Sequence, residues 1–542
     1  LLGLMEKSWL QHAGGGRIQL HELLRHYGYE QLQIQPDECQ AAHERHAAYF
    51  TRFTAEQNRR MRSEQQLAGK QAFEEELNAN IKVAWDWLTT QQRWSEILDP
   101  FAIGLIQIGI LREQMSDLIP WLRQARLMLA GEPETSCSLA CAVINTLEIF
   151  CEENEYILEH RPLERLKATW QIVHENHLAE AMDLWFAVLA FMVHNRNLDP
   201  NARAELDKAV VRLKEENDLW KLGIGLYLQA VCGGMYALDR EKLLEAGEIF
   251  KKLGVLHEQG LVSELLGSQA IHQKQPLYVI LEYYHQAKHF FTQMGDESRA
   301  TLNFLDLSGL FFRVGLVEEG FDIYQETERT LEKVGNTRRL AISLHWQSLH
   351  AARYSTFEHA WRARQRQLDL LQKENNQADL YLGLYEAGEI FRIFGDPQKA
   401  REFYERAYPG LAQLNMLLSL GYYERAYGDL ALEAGDYAEA LRRYEKYADF
   451  TRQENHPWSM AQARARCALA LACLGESQRA RLKLCELIAE IQAWGEDELI
   501  LAALLAELAC LVQEGKAEAA VQLATFIRRH PVAWREMKQQ AQ

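Results

Sequence analysis

The chain has 542 residues, of which 48% are hydrophobic, and it carries a formal net charge of −17. The hydrophobic share excludes a wholly disordered chain, and the acidity argues against a general nucleic-acid binder, whose affinity depends on neutralising phosphates. The length exceeds a single compact core, and only 11 prolines occur. We therefore expect several domains or an extended array of helices joined by short turns.

No signal peptide is visible, and the longest apolar runs, Phe101–Leu111 and Leu184–Val193, are too short to cross a bilayer. The nine cysteines are an odd number spread over a long chain, which is typical of a reduced compartment. We expect a cytoplasmic protein with no membrane contact. Because the chain begins at Leu1 rather than Met, we expect it to be part of something longer.

Residues 1–32 predict a β-hairpin followed by a helix. The strand candidates Trp9–His12 and Arg17–Leu20 flank the glycine run Gly14–Gly16, which is a hairpin signature. A helix then begins at His21 and carries four apolar or aromatic residues: Leu23, Leu24, Tyr27 and Tyr29.

The stretch Met5–Leu10, the glycine turn and Arg17–Gly28 resemble the end of the winged-helix domain in signal-transduction ATPases with numerous domains (STAND proteins). Later features resemble the same family: the helix after the wing and the acidic–asparagine–alanine–tryptophan helix before the repeats. They are His46 with Tyr49 and Phe50, then Glu75–Asn80 with Ala84–Trp87. The resemblance covers about 90 residues by motif.

In that family a nucleotide-binding domain precedes the winged helix, and helical repeats follow it as a sensor. The resemblance therefore implies that this chain is a sensor region whose partner is its own N-terminal nucleotide-binding module. The chain departs from the family in lacking that module: no Gly-x-x-x-x-Gly-Lys-Ser/Thr occurs, and Gly14–Gly16 leads into Arg17 and Ile18, which is not a phosphate loop. We expect neither enzymatic activity nor a cofactor.

We divide the chain into four parts: residues 1–32 as the end of the winged helix, 33–92 as connecting helices, 93–218 as degenerate helical repeats, and 219–542 as a repeat array with a C-terminal cap. Direct contact with nucleic acid is not expected, although His12, Arg17, Arg25 and His26 form a modest basic cluster.

Turn-forming residues recur every forty positions in the array, in two series twenty residues apart. Glycine and asparagine suit such positions because they tolerate the left-handed backbone that ends a helix. The first series is Gly315, Ser355, Gly395, Gly435, Gly475 and Gly515, and the second is Gly295, Gly335, Asn375, Asn415, Asn455 and Gly495. They predict one pair of helices per forty residues.

Small residues follow the first series at a fixed distance, as close crossing of antiparallel helices requires. They are Gly320, Ala360, Ala400, Ala440, Ala480 and Ala520. Aromatic or apolar residues stand four positions later, at Tyr324, Tyr404, Tyr444 and Leu484. A second small series precedes the turns by seven, at Ser308, Ser348, Gly388, Gly428 and Ala468.

This pattern resembles the tetratricopeptide repeat, whose usual unit is nearer 34 residues. The predicted fold is all-α: a right-handed α-solenoid of extended, about forty-residue, tetratricopeptide repeats, preceded by a partial winged helix.

No catalytic or metal constellation is predicted. Cys137 and Cys141 are four apart in an apolar run and are interpreted as core packing, and His21 and His26 lack a completing ligand at zinc spacing. No Gly-x-Ser-x-Gly elbow occurs.

The inner surface of the array offers the candidate site. In tetratricopeptide stacks the first helix of each pair lines that surface, and two neighbouring first helices concentrate aromatic and charged groups there. The residues are Tyr385, Glu389, Arg392, Tyr422, Arg425 and Asp429. They can bind a polar ligand, or Glu389 can pair with Arg425 and Asp429 with Arg392 across the helices. Polar groups on such a wall can do both, and we expect the fold to survive the loss of Arg425, since an inner-wall side chain does not hold the helix crossing.

The predicted function is regulatory: an unknown inducer (a small molecule, a peptide or a protein) binds the array and relieves autoinhibition, with transcription as a candidate output. The alternative is a constitutive protein-docking scaffold with no small-molecule ligand. The inward residues Ala502, Leu505, Ala509 and Val512 leave an apolar end, which a tail helix around Trp534 or a partner must cover.

Overall fold

The computed structural model describes residues 10–12, 18–98, 100–112, 115–130, 138–155, 163–233, 238–374, 376–413, 417–454, 456–491 and 497–542. The chain divides into two compact units. The first contains Leu1–Glu148 and Gln171–Trp185, and the second contains Ile149–Trp170 and Phe186–Gln542.

The first unit begins with a short antiparallel hairpin of β1 (Leu10–His12) and β2 (Ile18–Leu20), in which Leu10 faces Leu20. Helix α1 (Glu22–Gln33) follows, and the His21 ring caps it by accepting a hydrogen bond from the Leu23 amide at 3.4 Å. The hairpin and helix predicted from the sequence are thus confirmed. Trp9, the glycine run and Arg17 lie outside the described residues.

The helices that follow pack around a core of large apolar side chains, among them Phe73, Trp85 and Phe101. The segments resembling the family helices meet here, because the His46 ring lies 3.2 Å from the Asn80 side-chain oxygen. In chain order these helices are α2 (Pro36–Met61), α3 (Gln66–Glu76), a π-helix (Leu77–Ile81), α4 (Lys82–Thr90), α5 (Trp94–Leu98), α6 (Pro100–Arg112) and α7 (Ile119–Leu129). Helix α8 (Ser138–Glu155) follows and contains the division between the units, after Glu148.

One stretch of the described residues, Trp94–Arg112, is long and apolar enough by length and composition to cross a membrane. Within the structure 71% of it is buried, as in the core helix of a folded domain.

Along the rest of the chain come α9 (Leu163–Glu175), α10 (Leu184–Asn195), α11 (Ala202–Glu215), α12 (Leu219–Val231), α13 (Arg240–Leu253), α14 (Leu256–His272), α15 (Leu277–Gln293), α16 (Glu297–Leu302), α17 (Leu305–Arg313), α18 (Val317–Val334), α19 (Thr337–Tyr354) and α20 (Phe357–Lys373). They continue with α21 (Gln377–Ile393), α22 (Pro397–Gln413), α23 (Leu417–Glu433), α24 (Tyr437–Gln453), α25 (Pro457–Cys473), α26 (Ser477–Ile491), α27 (Asp497–Gln513), α28 (Ala517–Arg529) and α29 (Arg535–Gln540).

The second unit confirms the forty-residue repeat and is an α-solenoid of helix pairs. First helices begin at residues 337, 377, 417, 457 and 497, and second helices at 317, 357, 397, 437, 477 and 517. Seven glycines of the two turn series adopt left-handed φ angles between +69° and +87°: Gly295, Gly315, Gly335, Gly395, Gly435, Gly475 and Gly515. Asn375, Asn415, Asn455 and Gly495 lie outside the described residues.

Ser355 differs from the glycines of its series. Its φ is −131° and its ψ is −148°, because a residue with a Cβ avoids the left-handed region. The backbone therefore leaves α19 in an extended conformation, and Thr356 caps α20 by accepting a hydrogen bond from the His359 amide.

The small residues are buried as predicted, and the glycines among them explain the aromatic series. A Cβ on Gly428 would lie 2.5 Å from a ring carbon of Tyr444, and one on Gly388 would likewise collide with the ring of Tyr404. Tyr404 and Tyr444 thus each pack directly on a glycine of their own repeat's first helix. Sequence reasoning placed the ring beside the alanine one turn before it and missed this contact.

The C-terminal segment covers most of the apolar end of the array. Val532, Ala533 and Met537 are buried against Leu501 and Leu505, which answers the need for a cap with the tail rather than a partner. Val512, also expected to need cover, remains 61% exposed.

Candidate functional site

The structure brings the six predicted site residues together on the facing first helices α21 and α23. The rings of Tyr385 and Tyr422 stack with centroids 6.4 Å apart and planes within 18°. The Arg425 guanidinium donates to the Tyr385 hydroxyl at 2.5 Å and to the Glu389 carboxylate at 3.0 Å. The predicted pairing of Glu389 with Arg425 is therefore present.

Glu389 lies at the centre of the cluster. Its carboxylate accepts hydrogen bonds from Arg392 at 3.1 and 3.3 Å, from Arg425, and from the hydroxyl of Tyr404. Burial alone would raise the pKa of Glu389, but Arg392 and Arg425 outweigh it and hold the pKa below its ordinary value. Glu389 is thus an ionised group buried at a helix seam.

Asp429 forms a second centre one repeat further on. It accepts hydrogen bonds from the Tyr444 hydroxyl at 2.7 Å and from Arg466 of α25 at 3.0 Å, and it lies 3.8 Å from Arg392. Burial opposes ionisation, but the charges of Arg466, Arg392 and Arg425 lower the pKa of Asp429 to about 2.

Arg392 links the two centres to the end of the chain. Its side chain is 1% exposed and donates to Glu433 and, at 3.0 Å, to Glu536 of α29. Burial would lower the pKa of Arg392, yet Glu389, Glu536 and Asp429 raise it well above its ordinary value. Burial raises the pKa of Glu433 to about 7 despite the contact with Arg392.

Four of the six residues are buried: Tyr385, Glu389, Arg392 and Asp429. Tyr422 and Arg425 are partly exposed. Solvent therefore reaches the cluster at Tyr422 and Arg425, whereas the other four residues are covered by their neighbours. Arg425 also joins α21 to α23, as the pairing alternative predicts, because its guanidinium donates hydrogen bonds between neighbouring repeats.

Sequence reasoning missed five members of the cluster. Two of them lie on second helices, namely Tyr404 on α22 and Tyr444 on α24. The other three are Arg466 on the first helix α25, Glu433 at the end of α23, and Glu536 in the C-terminal segment. A signal for two of them was available, because an acidic residue precedes each tyrosine by fifteen positions, at Glu389 and Asp429. Glu536 had no such signal, since it reaches Arg392 over a separation of 144 residues.

A second charged cluster lies one repeat earlier, near His345, which is a further inner-wall position. Glu386 lies 2.6 Å from Arg364 of α20 and 3.0 Å from the His345 ring. Burial works against its ionisation, but Arg364 and His345 keep the pKa of Glu386 below its ordinary value. Asp379, on the same helix, is buried without an ion pair within the described residues, and burial raises its pKa to about 6.

The open space beside the main cluster is small. A void of about 40 Å³ lies between Asp429, Arg466, Trp534 and Glu536, which is room for a few water molecules. An apolar groove of about 470 Å³ runs past Leu469, Leu505, Ala509 and Val521 toward the end of the array. Among the described residues, no three His, Cys, Asp or Glu side chains come together as a metal site.

No protein-family model matches the sequence, and no curated protein is similar to it. The solved structures that are similar to this chain include two at low identity. One is the STAND protein with a tetratricopeptide repeat sensor from Pyrococcus horikoshii (12% identity, 83% of this chain and 69% of that chain, TM-score 0.37). The other is aspartyl phosphate phosphatase F from Bacillus subtilis (15% identity, 71% of this chain and 91% of that chain, TM-score 0.39). The fold assignment rests on the chain's own forty-residue register.

Proposed function

We propose that this chain is the regulatory sensor region of a STAND-type ATPase, and that an inducer binds the inner wall of its repeats. The observation that carries the proposal is the network of buried charges joining α21, α23 and α25 through Arg392, Arg425 and Arg466. A charged or polar ligand can replace one partner of an ion pair between two neighbouring helices. Apolar packing between the same helices offers no such group for a polar ligand to replace.

The entry point is Arg425, which lies beside the ring of Tyr422 at 5.7 Å. An inducer that offers an acceptor to Arg425 competes with Glu389 and loosens the contact between α21 and α23. Binding favours the open arrangement only in so far as the ligand binds that arrangement more tightly.

The wider proposal follows the resemblance of the N-terminal 90 residues to STAND proteins. The hairpin and α1 are the end of a winged helix, a nucleotide-binding module acts with this chain in the full-length protein, and sensing relieves its inhibition, with transcription as a candidate output. The setting is cytoplasmic, without direct nucleic-acid contact. This chain by itself should give no heat of ATP–Mg²⁺ binding in calorimetry, because its sequence has no phosphate-cradling loop.

The test uses the size of the ligand. The metabolite fraction of the source cells below about 1 kDa should raise the melting temperature of the chain, since a ligand that binds the native state stabilises it. Arg425→Ala should abolish the shift, and Arg329→Ala, at an exposed arginine on α18, should retain it. A shift equal in wild type and Arg425→Ala would move the site elsewhere.

A constitutive docking scaffold is the second candidate. It is favoured by the burial of four of the six residues against one another and by the void of about 40 Å³, which is too small for an organic molecule. On this alternative the low-mass fraction leaves the melting temperature unchanged and only a macromolecular partner binds.

A further inference from the structure

The C-terminal segment contacts the ends of helices that lie far earlier in the sequence. The Arg535 guanidinium donates to the backbone carbonyl of Ser355 at 2.6 Å and lies 4.6 Å from the centre of the Phe394 ring. Ser355 is the member of the first turn series that is not a glycine, and its extended backbone ends α19 with a carbonyl that accepts the hydrogen bond from Arg535. The departure from the turn series thus coincides with the point where the segment binds.

The residues on either side of Arg535 make matching contacts. The ring of Trp534 lies 4.4 Å from the Arg353 guanidinium, which is a cation–π distance. Glu536 accepts a hydrogen bond from Arg392 at 3.0 Å. Three consecutive side chains therefore present an aromatic ring, a guanidinium and a carboxylate to three complementary features at the C-terminal ends of α19 and α21.

The contacts of Arg535 and Glu536 are separable from capping, whereas Trp534 contacts Arg353 and also packs against the apolar cap. Val532, Ala533, Met537 and Ala541 already bury the apolar end of the array, and a solenoid cap needs no more than an apolar inner face and a polar outer one. The triplet Trp534–Glu536 instead reaches across to α19 and α21, two repeats or more away, as a bound peptide does.

The arginines that contact the triplet keep other ion-pair partners when the triplet is removed. Arg392 keeps Glu389 and Glu433 as partners, and Arg353 keeps Glu498 at 3.6 Å. Departure of Glu536 therefore leaves no unpaired buried cation, which is the usual penalty that fixes a buried ion pair in place.

We propose that Arg353, the Ser355 carbonyl, Arg392 and Phe394 form a peptide-binding site, that the triplet Trp534–Glu536 is its intramolecular occupant, and that the partner is a protein segment presenting an aromatic residue, an arginine and an acidic residue in succession. This deepens the proposed function by naming the class of ligand, and it rests on the array being a binding region.

The probe is a fluorescein-labelled synthetic peptide with the sequence of residues 530–542, followed by anisotropy. Replacing Trp534, Arg535 and Glu536 together by alanine vacates the site; it keeps the buried anchors Val532, Ala533, Met537 and Ala541 and removes the partly buried Trp534 from the cap. The labelled peptide should bind this variant at least about tenfold more tightly than wild type, where the tethered segment competes at high effective concentration. The control replaces the adjacent exposed residues Lys538, Gln539 and Gln540 by alanine and should behave as wild type.

Adding Arg353→Ala to the vacated variant should weaken peptide binding about fivefold, as loss of a partly exposed cation–π contact does. The single variant Trp534→Ala should bind the labelled peptide with an affinity between those of wild type and the triple variant. It provides the test if the triple variant unfolds. Equal affinity for wild type and vacated variant, no binding to either, or a tail-dependent dimer of the wild-type chain would each overturn the proposal. A peptide that fails while the low-mass fraction still shifts the melting temperature removes this inference and leaves the sensor proposal standing.

Discussion

The hydroxyl of Tyr444 donates a hydrogen bond to the carboxylate of Asp429 at 2.7 Å, across the two helices of one repeat. Both side chains are buried, so the bond stabilises an anion away from water. Tyr444→Phe should therefore lower the free energy of unfolding by about 1–3 kcal/mol, the cost of removing a donor from a buried charged acceptor. Chemical denaturation measures the loss.

The matched control for that substitution is Tyr278→Phe, at a tyrosine that is 73% exposed. This substitution also removes a tyrosine hydroxyl, but one that faces solvent, and it should leave the denaturation midpoint unchanged. If both variants behave alike, the hydroxyl of Tyr444 contributes nothing to stability.

Ala440 tests the register of the repeat. It is fully buried where α24 crosses its paired helix, and Ala440→Leu should overpack the crossing and cost about 1–3 kcal/mol. Ala438→Leu, two positions away and exposed, should cost little. A melting curve of Ala440→Leu identical to wild type would contradict the packing described for every repeat.

Asp379 should make stability depend on pH. Burial raises its pKa from 3.8 to about 6, so the fold favours the protonated form. The stability that this group contributes is fully present below about pH 4 and is lost as pH rises through about 6. Asp379→Asn should match wild type near pH 4 and exceed it by up to about 3 kcal/mol at pH 8.

Urea denaturation across that pH range provides the measurement. Asp322→Asn, at an exposed carboxylate on α18, is the control and should track wild type at every pH. A constant difference between Asp379→Asn and wild type would show that the carboxyl group ionises normally in the folded chain.

Glu389 and Arg425 should be energetically coupled. Each single alanine variant loses the 3.0 Å ion pair between α21 and α23, and a double-mutant cycle should yield a coupling free energy of about 1–3 kcal/mol. The cycle of Arg425→Ala with Glu405→Ala, at an exposed acid on α22, should be additive. Additivity in the first cycle as well would mean that the pair contributes no stability.

The fold was predictable in detail because its signals are local and periodic. Glycine positions such as Gly395 and Gly435, and the buried Ala400 and Ala440, fix helix boundaries through backbone conformation and close contact, both of which leave a spacing in the sequence. The site was predictable only in part. Tyr385 and Arg425 stand forty residues apart, so the repeat period places them on the same face of neighbouring first helices. Glu536 joins the cluster because the C-terminal segment folds back onto α21, and a contact of this kind leaves no periodic pattern in the sequence.

The long-range contacts of the second unit change how the array is expected to unfold. A solenoid whose repeats touch only their neighbours frays from its ends in small steps. Here Arg535 bonds to Ser355 across 180 residues, and Lys274 lies 3.0 Å from Asp497 across 223. Each contact joins two segments that are far apart in the sequence, and the helices between those segments lie within the closed stretch of chain. Amide protons from α19 to α27 should consequently exchange in one cooperative opening rather than in a gradient along the chain.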